Sequence, residues 1–213
     1  MSIDVKICGL KTSEAVDAAV YGGAKMLGFV FFAKSPRHVT LDEAAALLAR
    51  VPDGVTKVAL LVNPDDGEVD AIGRQLPFDM IQLHGSETPE RVAEIKAISG
   101  LAVMKAIGIE AADDIARAHS YEAVTDRILL DAKAPRDADL PGGNALSFDW
   151  GLIAGETWQK PWLLAGGLNA ENLTEAVKTS GATFVDVSSG VEDAPGRKSI
   201  TKIRAFLELA KSL

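Results

Sequence analysis

Residues 162–190 read WLLAGGLNAENLTEAVKTSGATFVDVSSG. The apolar run Trp162 to Ala165 has the character of a buried parallel strand and stops at Gly166-Gly167. Asn169 then precedes a helical segment expected over Ala170 to Thr179, with Glu171 in its first turn. After Gly181 a second apolar run, Thr183 to Val187, ends in Ser188-Ser189-Gly190. Two neighbouring strand-to-loop junctions therefore finish in small residues. Backbone without Cβ atoms can approach a ligand closely and aim N–H groups at an anion. A phosphate cradled by consecutive strand-end loops is a habit of the seventh and eighth units of a (β/α)8 barrel. The plainer reading, that these glycines only make tight turns, holds for one such loop more readily than for two in succession.

Working outward, the same alternation fills the chain. Strands are expected at Ile3 to Ile7, Met26 to Phe32, Lys57 to Val62, Met80 to Leu83, Leu101 to Ile107 and Arg127 to Leu130, ahead of the two already placed. Between them lie helical patterns at Ala15 to Tyr21, Leu41 to Arg50, Glu68 to Gln75, Glu87 to Ile98 and Ala111 to His119. Thr12 or Ser13 can cap the first and Thr40 starts the second, while Ser199 to Ala210 is a closing amphipathic helix. A loop bearing glycine and proline covers Ala132 to Leu146. Eight strands alternating with about eight helical segments predict a parallel α/β architecture. An open doubly wound sheet usually has fewer strands, so the closed TIM barrel is favoured.

Composition sets bounds. At 213 residues the chain has the length of one small (β/α)8 barrel, and residues 1–213 are expected to form a single domain. No apolar run reaches the roughly 18 residues of a membrane span, and the N-terminus MSIDVKICGL enters a strand with no signal-peptide pattern. A single cysteine excludes an internal disulfide and fits a reducing, cytoplasmic setting. A net charge of -8 argues against nucleic acid. An anionic small molecule would have to be held by local donors.

In a barrel, chemistry gathers where strands end. That rule selects Cys8, Arg37, Gln82, His84, Asp131 and Asp186. A lone cysteine is ordinarily a small buried hydrophobe, but beside Gly9 at a strand end it can serve as a base if cations or donors favour its thiolate. Asp131 follows Ile128-Leu129-Leu130, where a carboxylate serves either as a cap or ion-pair partner or as a general acid. Arg37 carries the planar fork that suits a carboxylate. Gln82, His84 and Asp186 are expected to contact substrate. The segment GVEDAPGRKS at 190–199 resembles a Walker motif but has five residues between its glycines and follows the last strand. No G-x-G-x-x-G follows a strand, and the three histidines stand apart without zinc spacing, so neither a dinucleotide nor a metal is expected.

Taken in order, KICGL at 6–10, GFVFFAKSPRHV at 28–39, QLHGSE at 82–87, LLDA at 129–132, FDW at 148–150, LAGGL at 164–168, VDVSSGVE at 185–192 and PGRKS at 195–199 resemble the phosphoribosylanthranilate isomerases of tryptophan biosynthesis. The resemblance spans nearly the whole chain. It implies an Amadori rearrangement of N-(5-phosphoribosyl)anthranilate without a cofactor. Asp131 would be the general acid on the furanose oxygen and Cys8 the general base at C2. Arg37 would hold the anthranilate carboxylate, and backbone amides around Gly166, Gly167, Ser189 and Gly190 the phosphate. The family usually carries Gly-Gly-x-Gly after strand six, where this chain has Gly142-Gly143-Asn144-Ala145. The aldose–ketose isomerase of histidine biosynthesis is a sister reading, disfavoured because it resembles an aspartate pair and strand one here offers Cys8. A third reading is a phosphate-binding scaffold without catalysis, which the presence of both Cys8 and Asp131 argues against. Members of the family occur as monomers and dimers, and either state is compatible with this sequence.

Overall fold

A computed structural model describes residues 2–135, 142–143 and 146–213. Eight strands, β1 (Asp4–Cys8), β2 (Met26–Val30), β3 (Thr56–Leu61), β4 (Met80–Leu83), β5 (Ala102–Ile109), β6 (Arg127–Ala132), β7 (Trp162–Leu164) and β8 (Phe184–Val187), pair in parallel with their sequence neighbours. β8 returns to β1 and closes the barrel. Helices α1 (Ser13–Tyr21), α2 (Leu41–Leu48), α3 (Asp66–Gln75), α4 (Pro89–Ser99), α5 (Ala112–His119), α6 (Leu173–Ser180) and α7 (Ile200–Ser212) connect the strands and close the chain. A short antiparallel hairpin, β9 (Glu192–Ala194) with β10 (Arg197–Lys198), sits between β8 and α7.

The eight barrel strands are buried on both faces, which explains why they read as unbroken apolar runs rather than alternating ones. Side chains of opposite parity fill two layers. Met26, Val58, Met80, Met104, Leu129, Leu163 and Phe184 pack inside the barrel. Ile7, Leu27, Ala59, Ile81, Ile128 and Val185 face outward against the helices. Nearer the mouth, Cys8, Val30 and Leu60 form a smaller apolar group with Phe32 and Val62. The helix starts follow capping chemistry: Thr40 Oγ1 accepts from Glu43 N while the Glu43 carboxylate accepts from Thr40 N, and Asp65 and Glu68 repeat the exchange.

Three elements differ instructively from the sequence expectation. β6 runs two residues beyond Leu130, because β5 extends far enough to pair Gly108 with Asp131 and Ile109 with Ala132. α4 begins at Pro89, not Glu87: Thr88 Oγ1 caps it through Arg91 N, and the Glu87 carboxylate is already accepting from Asn63 N and Gly85 N. α6 begins at Leu173, not Ala170. Asn169 Oδ1 accepts from Glu171 N and Asn172 N, and Asn172 Oδ1 accepts from Asn169 N, so side chains claim the amides that a helix would use. Seven α-helices lie among the described residues, against about eight helical segments expected. The connection from β6 to β7 carries a 3-10 turn, Trp150–Ile153, which contains the poor helix former Gly151 and is followed by Gly155.

Candidate active site

The barrel mouth opens into a cleft lined by Cys8, Arg37, Gln82, His84, Asp131 and Asp186. Their convergence follows from strand parity. Register aligns Cys8 with Gly28 across β1 and β2, and Lys6 with Asp186 across β1 and β8. Residues two apart on a strand share a face, so Lys6 and Cys8 both point into the barrel.

On one wall, Asp131 is the next-to-last residue of β6, its Oδ1 accepting from Ala132 N at 2.8 Å and its Oδ2 lying 3.2 Å from His84 Nε2. His84 Nδ1 in turn lies 3.3 Å from Gln82 Nε2. With the amide nitrogen donating, the ring proton sits on Nε2 and faces the Asp131 carboxylate. Gln82 Oε1 is buried and has no partner among the described residues. Turning that amide over presents Gln82 Oε1 to a His84 Nδ1–H and leaves His84 Nε2 free to accept from a protonated Asp131. The chain Gln82–His84–Asp131 thus accommodates the aspartate both as acid and as conjugate base. Gly142 lies directly against His84 and Asp131.

On the opposite wall, Cys8 is buried beside Lys6. Burial pushes the Cys8 thiol above its ordinary value, Lys6 pulls it down, and Asp186 adds to the upward push. Lys6 Nζ donates to Asp186 Oδ1 at 2.8 Å and is fully enclosed. Burial disfavours its charge, but Asp186 and Cys8 more than offset that, so Lys6 is held above its usual value as an ammonium.

Arg37 occupies a narrower place than its fork suggests. Its Nε and Nη2 bind Glu192 Oε1 and Oε2 at 2.8 and 2.9 Å. Nη2 also lies 3.4 Å from Gly143 O, and among the described residues Nη1 has no acceptor. Glu192 Oε1 further accepts from Lys198 Nζ at 2.9 Å. Burial works against the Glu192 charge, yet Arg37 and Lys198 hold its carboxyl below the usual range. Burial lowers Lys198 in spite of Glu192. Lys198 Nζ also donates to Ser188 O at 2.8 Å, tying the hairpin to the end of β8.

Gly166, Gly167, Leu168, Ser188 and Ser189 line the far end of the cleft. Gly166 and Gly167 take φ of +88° and +62°, and a Cβ on Gly166 would sit 2.7 Å from Ala132 N. Only glycine fits there without strain. Asn172 Nδ2 holds the loop from outside by donating to Gly167 O at 3.0 Å. Gly190 packs against the Leu168 carbonyl, next to Ser189, which lines the cleft. Asn144 and Ala145, where the departure from the family loop falls, lie outside the described residues. Sequence reasoning passed over Lys6, Gly28, Glu192 and Asn172. The signal for Lys6 was available, because a lysine in the middle of a buried strand, two residues before Cys8, shares its face. Nothing local marked Glu192, whose partner Arg37 is 155 positions away.

Fold and cleft together define a (β/α)8 barrel whose mouth gathers a cysteine, an aspartate and a glycine-built loop into one cleft. A family model described as N-(5'phosphoribosyl)anthranilate (PRA) isomerase matches residues 5–209. The N-(5'-phosphoribosyl)anthranilate isomerase of Paracoccus denitrificans is 56% identical over 210 residues, covering 99% of this chain and 98% of that one. The crystal structure of phosphoribosyl anthranilate isomerase from Thermotoga maritima superposes with a TM-score of 0.88 at 34% identity, over 99% of this chain and 100% of that one. A crystal structure of such an isomerase in complex with reduced 1-(o-carboxyphenylamino)-1-deoxyribulose 5-phosphate gives 0.83 at 32% identity, with coverage of 99% and 100%. This chain belongs to the N-(5'-phosphoribosyl)anthranilate isomerase family.

Proposed function

We infer that this chain, acting as one barrel domain, converts N-(5-phosphoribosyl)anthranilate into 1-(2-carboxyphenylamino)-1-deoxyribulose 5-phosphate, with Asp131 as general acid and Cys8 as general base. The observation that carries the assignment of roles is the opening of both side chains, from strands on different sides of the barrel, into the cleft that Gly166 and Gly167 line. The reaction asks for that division of labour. Asp131 gives a proton to the furanose ring oxygen as the C1–O bond breaks and the nitrogen lone pair forms the imine. The Cys8 thiolate then takes the proton from C2, giving an enolamine that tautomerises to the ketone. One group loses a proton and the other gains one. The Gln82–His84 pair orients the Asp131 carboxyl and offers a partner in each of its protonation states. The phosphate is held by the backbone around Gly166, Gly167, Ser189 and Gly190, and the anthranilate carboxylate by the Nη1 edge of Arg37.

The test follows substrate by loss of the anthranilate fluorophore in the purified protein, Asp131→Asn and Cys8→Ser. Each substitution is expected to lower kcat by about 10²- to 10⁴-fold, the usual weight of a positioned acid or base. Near-normal turnover in either variant removes that residue from its role.

A further inference from the structure

Three groups meet above one glycine at the closing seam of the barrel. A Cβ built on Gly28 of β2 would sit 3.0 Å from Cys8 Sγ and 3.1 Å from Lys6 Nζ, so both atoms converge on the space that this glycine leaves open. Lys6 Nζ is also fixed from β8 by Asp186 Oδ1 at 2.8 Å. Lys6 is wholly enclosed, and no solvent competes for its charge. We propose that Lys6 is a positioning residue that supplies the counter-charge for the Cys8 thiolate, and that Asp186 competes with that thiolate for the same ammonium. The proposal deepens the reading of Cys8 as base and rests on it.

The surroundings leave this role to Lys6. On β1 itself the inward neighbour of Cys8 is Lys6, and on β2 the facing position is Gly28, which carries no charge. β8 offers Asp186. Lys198, from β10, also acts on the thiol, but its donors are engaged by Ser188 O, Ser188 Oγ and Glu192 Oε1. Arg37 is taken up by Glu192, and His84 and Asp131 face each other on the other wall. An ammonium held protonated has no lone pair, so Lys6 is not itself the acceptor of the C2 proton. In the resting cleft, Lys6 and Asp186 form a neutral pair, and ionising Cys8 places a second anion beside one cation. Removing either partner therefore moves the thiol in opposite directions. Without Lys6 the thiolate loses its cation and faces Asp186 alone. Without the Asp186 charge the ammonium is left to the thiolate.

Cys8 is the chain's single cysteine, so thiolate absorbance in the ultraviolet, with Cys8→Ser as the blank, reports this one group. Relative to the parent protein, Lys6→Met is expected to raise the pH at which the thiol ionises by about one unit or more, and Asp186→Asn to lower it by a similar amount, tenfold in the equilibrium for each unit. Asp186→Asn keeps the side-chain shape and carries the test by itself if Lys6→Met does not fold. Unchanged titration in Asp186→Asn, or a shift upward, overturns the proposal. The pH profile of kcat/KM separates it from the reading beneath. Opposed thiol shifts that the acidic limb follows support both, whereas opposed shifts that the limb ignores keep the Lys6–Cys8 coupling and remove Cys8 as the base.

Discussion

Cys8 and Asp131 each stand at the last or next-to-last position of a strand, and the barrel's geometry turns that place into a role. What surrounds them decides whether the role can be filled. Gly28 leaves the room in which Sγ and the Lys6 ammonium meet, and a methyl group there would press on both and on the Cys8 backbone at 3.2 Å. Gly28→Ala is expected to fold, since φ at that position is ordinary, but to lower kcat/KM by about tenfold or more by displacing the thiol, as misplacements of an ångström do. Steady-state kinetics beside a melting curve read the two effects apart; a variant with parent kinetics would show that the close approach has no catalytic weight. Cys8 and Asp131 were legible in the sequence as candidates because a polar residue closing an apolar run is conspicuous. The pairings of Lys6 and Glu192 were not, because their partners lie 180 and 155 positions away and only the closed barrel brings them together.

Among the elements, the β9–β10 hairpin does more than its length suggests. It lifts Glu192 to bind the Nε and Nη2 edge of Arg37 while accepting from Lys198, so that one carboxylate orients the arginine and neutralises two enclosed cations. Glu192→Gln leaves those cations unbalanced. It is expected to cost about 3 kcal/mol of stability, the scale for breaking a buried ionic cluster, and to raise KM more than it lowers kcat as Arg37 loses its aim. The sign of the pH dependence follows from its depressed folded pKa. The contribution is whole above the unfolded glutamate value of about 4.3 and disappears as pH falls through the lower folded value. Urea denaturation of parent and variant should therefore converge in acid; a constant gap would speak against the carboxylate as the cause. The strands were readable to within one or two residues because burial on both faces leaves a continuous apolar trace. The start of α6 was not, since Asn169 and Asn172 take its first amides for a loop that supports Gly167.

Taken whole, the molecule separates its tasks along the barrel axis, chemistry at the ends of the strands and stability at their beginnings. The clearest stabilising device at the lower end is the latch at the close of α5. His119 Nδ1 pairs with Glu122 at 2.8 Å, its Nε2 with Glu156 at 3.4 Å, and its ring stacks on Trp158 at 4.2 Å between centroids. Glu122 also accepts from Gln159 N and Lys160 N, which anchors the approach to β7. The Glu122 hydrogen bond, against some burial, raises the His119 pKa. A raised histidine stabilises fully below its unfolded value of about 6.5, and that share is lost as pH climbs through the higher folded value. Replacing His119 with alanine is thus expected to cost more stability near pH 6 than near pH 9. Turnover at saturating substrate should stay at the parent level, because no strand-end group is touched. Urea midpoints of the two proteins at both pH values, with kcat at each, decide it. Equal gaps at the two pH values would leave stacking on Trp158, and not charge, as what His119 contributes; a fall in kcat with stability intact would mean that the two ends of the barrel are coupled.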